Sequence, residues 1–163
     1  MIKNIPSKKV IGADNQQERL KMAGWISGFT DGEGCFTISV IKNSTTRFGK
    51  QIFPEFVITQ GEKSLDVLYK IKNYFNCGSI ILNKRYDNHN EHLYRYCVRS
   101  ISELQNKIIP FFEEYALQTY KRNDFKIFKR IIKLMIKKQH LTNEGWKKIL
   151  KLASKTNRKK KHF

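Results

Sequence analysis

The chain has 163 residues, of which 40% are hydrophobic, so it is long enough to fold as one domain around a substantial core. Its 32 Lys and Arg residues outnumber its 14 Asp and Glu residues. The net charge of +18 predicts a densely anionic partner, and it favours nucleic acid over an acidic membrane surface. No apolar run approaches the roughly 18 residues needed to cross a bilayer, and no signal peptide is evident near the N-terminus. We therefore expect an intracellular protein with no membrane partner, located in a mitochondrion, a chloroplast or the bacterial cytoplasm.

The chain is expected to comprise a flexible N-terminal arm over residues 1–13, a single domain over residues 14–153 and a basic tail over residues 154–163. Apolar residues at helical spacing predict a first helix over residues 16–32. An Asp or Asn just before this segment is expected to cap the helix.

The first predicted helix carries Gly24, Gly28 and Gly32, which fall every four residues and so form a stripe along one face. Each glycine inside a helix costs about 1 kcal/mol relative to alanine, so the stripe needs a compensating role. A stripe without side chains lets another helix backbone approach closely. Asp31 and Glu33 end the helix, where the partial negative charge disfavours acids unless a cation offsets them. The pattern predicts a close helix–helix contact beside a metal site.

Beyond this helix the apolar residues alternate with polar ones, which predicts a long hairpin with strands over residues 36–41 and 51–58. A proline in the second strand indicates that this strand is irregular or has a free edge there. A second helix is predicted to start at Ser64, and a shorter strand pair follows over residues 79–83 and 93–98.

Three further helices are predicted in the last third of the chain. The first covers residues 102–109 and is expected to end at Pro110; the other two cover residues 118–138 and 142–152. The order helix, hairpin, helix, hairpin, helix indicates an α+β fold with antiparallel strands.

Residues 26–34, Ile-Ser-Gly-Phe-Thr-Asp-Gly-Glu-Gly, resemble the nine-residue motif of the LAGLIDADG homing endonucleases, with both glycines and both acidic positions kept in kind. Residues 54–60 resemble the second strand of that family. Residues 117–125 and 140–145 resemble stretches common in its intron-encoded members. The resemblance covers roughly residues 16–153.

The resemblance implies an α-β-β-α-β-β-α fold in which saddle-shaped antiparallel sheets lie in the DNA major groove. Since a single motif is present, the second motif helix must come from another copy, which implies a homodimer and a long, partly palindromic target. The implied activity is a site-specific, metal-dependent double-strand cut that promotes intron mobility. Two alternatives remain: an intron maturase that acts on RNA, and a DNA-binding regulator that does not cleave.

The resemblance also implies the site residues. Glu33 is expected to bind Mg²⁺ or another divalent cation, with Gly32 beside it as a second metal-ligand candidate. Gln60 is expected to orient a water molecule, and Lys121 to stabilise the transition state near the scissile phosphate, with Arg122 as the alternative. Asp31 has either a structural role at the helix end or a supporting role in the site. The expected dimer interface is Gly24, Ser27, Gly28, Asp31 and Gly32.

Recognition of DNA is assigned to the turns and to the strand faces directed away from the core. Arginine can donate two hydrogen bonds to guanine and glutamine two to adenine, whereas most lysines contact only phosphates. Phe53 and Val57 are expected to contact thymine methyl groups on the same face. The expected DNA contacts are Thr37, Ser39, Ile41, Asn43, Arg47, Lys50, Gln51, Asn83, Lys84, Arg85, Arg95 and Arg99.

Overall fold

The computed structural model describes residues 11–83 and 91–156, with side chains from residue 15 onward. Its order of elements confirms the predicted α-β-β-α-β-β-α succession followed by C-terminal helices. Among the described residues, no helix is both long enough and apolar enough to cross a membrane. The elements are α1 (Ile11–Glu33), β1 (Gly34–Lys42), β2 (Lys50–Gly61), α2 (Leu65–Phe75), β3 (Ser79–Asn83), β4 (Leu93–Val98), α3 (Ile101–Glu103), α4 (Ile109–Glu114), α5 (Lys121–Ile136) and α6 (Asn143–Thr156).

The four strands form one antiparallel sheet in the order β1-β2-β4-β3. One face of this sheet packs against the helices, because alternate residues such as Phe36, Ile38 and Phe56 point into the main core. Phe36 and Phe56 are paired in the β1–β2 register, and their ring centroids lie 5.1 Å apart. The Phe36 ring also contacts Phe128 of α5, so the sheet and the C-terminal helices share one aromatic core.

The opposite face of the sheet, which we call the outer face, carries the residues of the other parity, among them Thr37, Glu55, Val57, Arg95 and Cys97. None of these side chains belongs to the main core. Val57 and Cys97, which are paired across β2 and β4, are nevertheless buried. The outer face is therefore a separate surface with its own small apolar centre.

Strand β2 shows why a proline is tolerated inside the sheet. Pro54 pairs with Ile38 on the β1 side, but the pairing of β2 with β4 begins only at Phe56. At Pro54 the β4 side of β2 therefore has no ladder to which a missing N–H would matter. The free edge that the sequence predicted at this proline is confirmed.

The first helix begins earlier than predicted, at Ile11. Residues 11–13, which were assigned to the arm, are helical, and Asp14 and Asn15 lie inside the helix rather than at its N-cap. A helix that is already nucleated extends at little cost, so a single glycine at position 12 does not stop it. The last helix likewise continues to Thr156 and includes the first three residues of the predicted tail.

The prediction that the helix ends at Pro110 is wrong, because the helical segment continues through this residue. Leu104–Ile108 is π-helical and is followed directly by α4, in which Pro110 occupies the first turn. Proline lacks an N–H and clashes with the carbonyl four residues earlier in a regular α-helix. The wider π turns just before Pro110 accommodate this mismatch, so Ile108 and Phe112 both stay in the core.

Candidate active site and DNA-facing surface

The glycine stripe of α1 is open to solvent. Gly24, Gly28 and Gly32 are exposed, and a Cβ atom added at any of them would meet no atom within 4 Å. Trp25 stands beside the stripe with 41% of its surface exposed, and its ring stacks on Phe29 at 5.0 Å between centroids. Packing within one protomer therefore does not explain why these positions lack side chains.

Ser27 does not lie on this open face, contrary to its expected place in the dimer interface. It is 8% exposed, and its Oγ donates a hydrogen bond of 3.0 Å to the carbonyl oxygen of Tyr115. This bond ties α1 to the end of α4. Ser27 is thus an internal anchor, because its side chain points about a quarter of a helical turn away from the glycine stripe.

Asp31 anchors the end of α1 to the segment that precedes α5. Its Oδ2 accepts a hydrogen bond of 2.6 Å from the Gln118 N–H, and its Oδ1 accepts bonds from the Thr119 N–H and hydroxyl at 3.2 and 2.7 Å. Burial alone would raise the pKa of Asp31, but these hydrogen bonds outweigh it and hold the pKa below its usual value of 3.8. The geometry therefore favours a structural role for Asp31 at the helix end over a supporting role in the active site.

Asp31→Ala is expected to destabilise the fold by roughly 1–2 kcal/mol at neutral pH, at the lower end for hydrogen bonds to a charged group because Asp31 is partly exposed. Since its folded pKa lies below 3.8, this contribution is complete above that pH and disappears as the pH falls through the folded pKa. Thermal unfolding from pH 7 to 2.5 measures it. Glu18→Ala, an exposed acid on the same helix, is the control; an equal deficit in both variants would contradict the anchoring role.

Lys121 closes the C-terminus of α1. Its Nζ donates to the carbonyl oxygens of Thr30, Asp31 and Gly32 at 2.8, 3.0 and 3.4 Å. Burial lowers the pKa of Lys121, although Asp31 and Glu33 among its neighbours oppose the shift. A cation at this place interacts favourably with the helix dipole. The cation that the acidic helix end requires is therefore supplied in part by the protein itself, which the sequence did not reveal.

Glu33 differs from Asp31 in having its carboxylate free. It is exposed, and within the part of the chain that is described no group donates a hydrogen bond to it. The next residue, Gly34, pairs with Ile58, so Gln60 lies two residues further along β2 at the same end of the sheet. Glu33, Gln60 and Lys121 thus come from three separate elements that meet at the junction of α1 and β1. Arg122, the alternative to Lys121, is exposed in the first turn of α5.

The donor set at this junction fits a hard divalent cation. The exposed Glu33 carboxylate offers the kind of oxygen ligand that Mg²⁺ prefers, and the Gly32 carbonyl, whose contact with Lys121 is the longest of the three at 3.4 Å, is a second candidate. Over residues 11–83 and 91–156, no three His, Cys, Asp or Glu side chains come together to form a metal cage. The described side chains of one protomer therefore supply only part of a coordination shell.

The expected DNA contacts that are described lie on or beside the outer face. Ser39, Ile41, Lys50, Gln51 and Asn83 are exposed. Other members of the set are already engaged: the Thr37 hydroxyl donates to the Glu55 carbonyl, and the Asn43 amide donates to Gln51 at 2.8 Å. Lys84 and Arg85 lie outside the described residues.

Arg47 is held against the C-terminal part of the fold. Its guanidinium donates to the Leu141 carbonyl at 3.2 Å and lies 5.6 Å from the centroid of the Phe48 ring. Phe48 in turn stacks on Trp146 of α6, at 4.8 Å between centroids. The β1–β2 turn is thereby fixed to α6, which gives Arg47 a structural contact in addition to its expected one with DNA.

Sequence reasoning missed the acid at the centre of the outer face. Glu55 is 5% exposed and forms ion pairs with Arg95 and Arg99. The available signal was an acidic residue at an outward strand position of a very basic chain, with an arginine at an outward position of β4 and another just after that strand. Both arginines had been expected to contact DNA, and the structure shows that an acid holds them.

These features define a class of protein: an α+β unit in which a helix with an open glycine face ends in an exposed carboxylate beside an antiparallel sheet, with polar and charged side chains on the outer face of that sheet. The chain belongs to the LAGLIDADG endonuclease family, whose model matches residues 26–132. The fold agrees, because a solved homing endonuclease, I-TnaI, is 40% identical and superposes with a TM-score of 0.75 over 85% of this chain and 89% of that one.

Two further relatives show how much of each protein the similarity covers. A probable intron-encoded endonuclease of Neurospora crassa is 38% identical over 82% of this chain and 28% of its own length. The homing endonuclease I-LtrWI, solved bound to its target DNA, is 30% identical with a TM-score of 0.77, over 97% of this chain and 47% of that one. The chain spans only about a quarter of the length of the first curated relatives that it matches.

Proposed function

We propose that this chain is a site-specific homing endonuclease that makes a double-strand cut in a long, partly palindromic DNA duplex. The observation that carries the proposal is the free Glu33 carboxylate, which lies at the end of a glycine-faced helix and within electrostatic reach of Lys121. Membership of an endonuclease family and the intron-encoded relatives support it. The proposed biological role is intron mobility.

The active unit is proposed to be a homodimer. A single protomer offers one free motif carboxylate, whereas a double-strand cut needs a reactive centre for each strand. Gly24, Gly28 and Gly32 would allow two copies of α1 to pack face to face about a two-fold axis, which would place two Glu33 side chains near each other.

Glu33 and the Gly32 carbonyl would hold the divalent cation, together with phosphate oxygens of the DNA. When bound, the cation would polarise the phosphate and lower the pKa of an attacking water. Lys121 would place a positive charge at the same junction, where it stabilises charge that develops on the phosphate. Its bonds to three carbonyls fix the ammonium in position before DNA binds. Gln60 would orient the attacking water by hydrogen bonding.

The outer face would dock in the major groove of the DNA. Its exposed polar side chains lie along two adjacent strands, and a two-stranded ribbon fits that groove. The net charge of +18 would supply much of the affinity through phosphate contacts, so DNA binding is expected to weaken steeply as salt increases.

The test is cleavage of a supercoiled plasmid that carries the intron-free form of the gene surrounding the coding sequence. With Mg²⁺, the purified protein is expected to linearise this plasmid, and EDTA should abolish the cut. A plasmid that carries the same gene interrupted by the intron is the matched control and should stay intact. Binding and splicing of the intron RNA without any DNA cut would instead establish a maturase. Binding of the duplex without a cut in Mg²⁺ or Mn²⁺ would establish a regulator.

A further inference from the structure

The outer face holds a buried acid between two arginines, and we call Glu55, Arg95, Arg99 and Phe53 the Glu55 cluster. Glu55 Oε1 accepts a hydrogen bond from Nη2 of Arg95, and Oε2 accepts one from Nε of Arg99. The Arg99 guanidinium also lies 5.5 Å from the centroid of the Phe53 ring. Both carboxylate oxygens are thus in use, and each arginine is held at a defined atom.

Stability alone does not account for this cluster. Burying a carboxylate carries a desolvation cost that an ion pair often only offsets, so an apolar residue at the same position would be about as stable or more so. Apolar neighbours are at hand, since Val57 follows on the same face and is 6% exposed. The effect of the buried Glu55 carboxylate is therefore to hold the two arginines in defined positions.

The two arginines are left with different free donors. Among the described residues Arg99 donates a hydrogen bond only through its Nε, to Glu55, which leaves both of its terminal nitrogens as a pair, and its side chain is 43% exposed. Arg95 donates through its terminal nitrogen Nη2, so one nitrogen of its terminal pair is already bonded to Glu55, and its side chain is 31% exposed. Guanine presents O6 and N7 side by side in the major groove, and an intact pair of terminal N–H groups matches these two acceptors.

We propose that Arg99 recognises guanine in the target DNA and that Glu55 is its positioning residue. The inference rests on the proposed function, because it requires that the outer face enters the major groove. Fixing the guanidinium before binding removes much of the side-chain entropy that a free arginine would lose on contact. Arg95 is left to contact a phosphate or a single acceptor. In a two-fold dimer the recognised guanines occupy a symmetric pair of positions.

The experiment selects bound sequences from a library of fully randomised DNA duplexes and compares variants of the full chain at one salt concentration. Wild type is expected to enrich a symmetric pair of guanines. Arg99→Ala should lose the preference at that pair by about 10- to 100-fold, and Arg99→Lys should do the same although it keeps the charge. Glu55→Gln should reduce the preference at the same pair by about 5-fold or more. Arg95→Ala should weaken binding without changing that pair.

Two controls separate recognition of guanine from a general loss of charge or of folding. Arg130→Ala removes an exposed arginine from α5, on the other side of the sheet, and should leave the selected sequence unchanged. Replacing the paired guanines of the enriched duplex by 7-deazaguanine removes the N7 acceptor, which should weaken wild-type binding but not binding by Arg99→Ala. Thermal melts verify that each variant is folded; if Glu55→Gln does not fold, Arg99→Lys carries the test.

The two proposals can fail separately. If wild type enriches a sequence that Arg99→Ala and Arg99→Lys also enrich unchanged, the inference is overturned while the proposed function stands. If Arg99 variants lose the guanine pair but folded Glu55→Gln keeps it at full strength, Arg99 is the reader and Glu55 has no positioning role. If wild type enriches no sequence from the library, the proposed function fails and the inference fails with it.

Discussion

Glu33→Gln is expected to abolish double-strand cleavage while leaving DNA affinity nearly unchanged. The Glu33 carboxylate is exposed and receives no hydrogen bond from any described residue, so an isosteric neutral amide removes only its electrostatic interaction with Lys121. What it removes is the charge that would bind the cation, and losing one such stabilising group lowers rates by at least about 10²-fold. Plasmid linearisation in Mg²⁺ measures the cut, and a gel shift of the target duplex measures binding.

Glu18→Gln is the matched control for this loss, because it makes the same change at an exposed position of the same helix. It should cut and bind like wild type. Cleavage by Glu33→Gln at the wild-type rate would remove Glu33 from the role of metal ligand. A variant that neither cuts nor binds would point to failed assembly, which the unfolding curve would reveal.

The order of helices and strands was predictable because it depends on local periodicity. Residues 36–41 alternate, and Phe36 and Ile38 are buried as that alternation requires. The boundaries that were missed depend on context instead. Pro110 was expected to end a helix, but the π-helical turns before it accommodate the proline and leave Ile108 and Phe112 both in the core. Single-residue rules cannot anticipate such a compromise.

The candidate site was predictable only in part, for a similar reason. The place of Glu33 follows from one continuous motif. The hydrogen bonds that distinguish the Asp31 carboxylate from that of Glu33 come from residues almost ninety positions away, Gln118 and Thr119. The acids at the end of α1 suggested a metal on electrostatic grounds, yet Lys121 already places a positive charge there. The case for a cation therefore rests on the free carboxylate of Glu33 rather than on the helix dipole.

Gly28→Leu is expected to abolish dimerisation and, with it, cleavage, while the protomer remains folded. A Cβ atom added at Gly28 meets no atom within 4 Å, and the position is exposed, so we expect a single protomer to tolerate leucine there. Leucine also favours the helix by up to about 1 kcal/mol over glycine. Two copies of α1 packed along the stripe would be forced apart by the added side chains. Sedimentation at assay concentration should show a monomer, and cleavage should fall by at least about 10²-fold, the loss expected when the second reactive centre is removed.

The unfolding temperature separates loss of the dimer from loss of the fold. For a dimer it rises with protein concentration, whereas for monomeric Gly28→Leu it should be independent of concentration. Lys126→Leu, which adds leucine at an exposed position of α5, should leave both assembly and cleavage intact. In contrast to Gly28→Leu, Gly145→Ala should destabilise the protomer itself, because the added Cβ would lie 2.1 Å from the Gln139 carbonyl oxygen. A Gly28→Leu protein that sediments as a dimer and cuts at the wild-type rate would place the interface elsewhere than on this stripe.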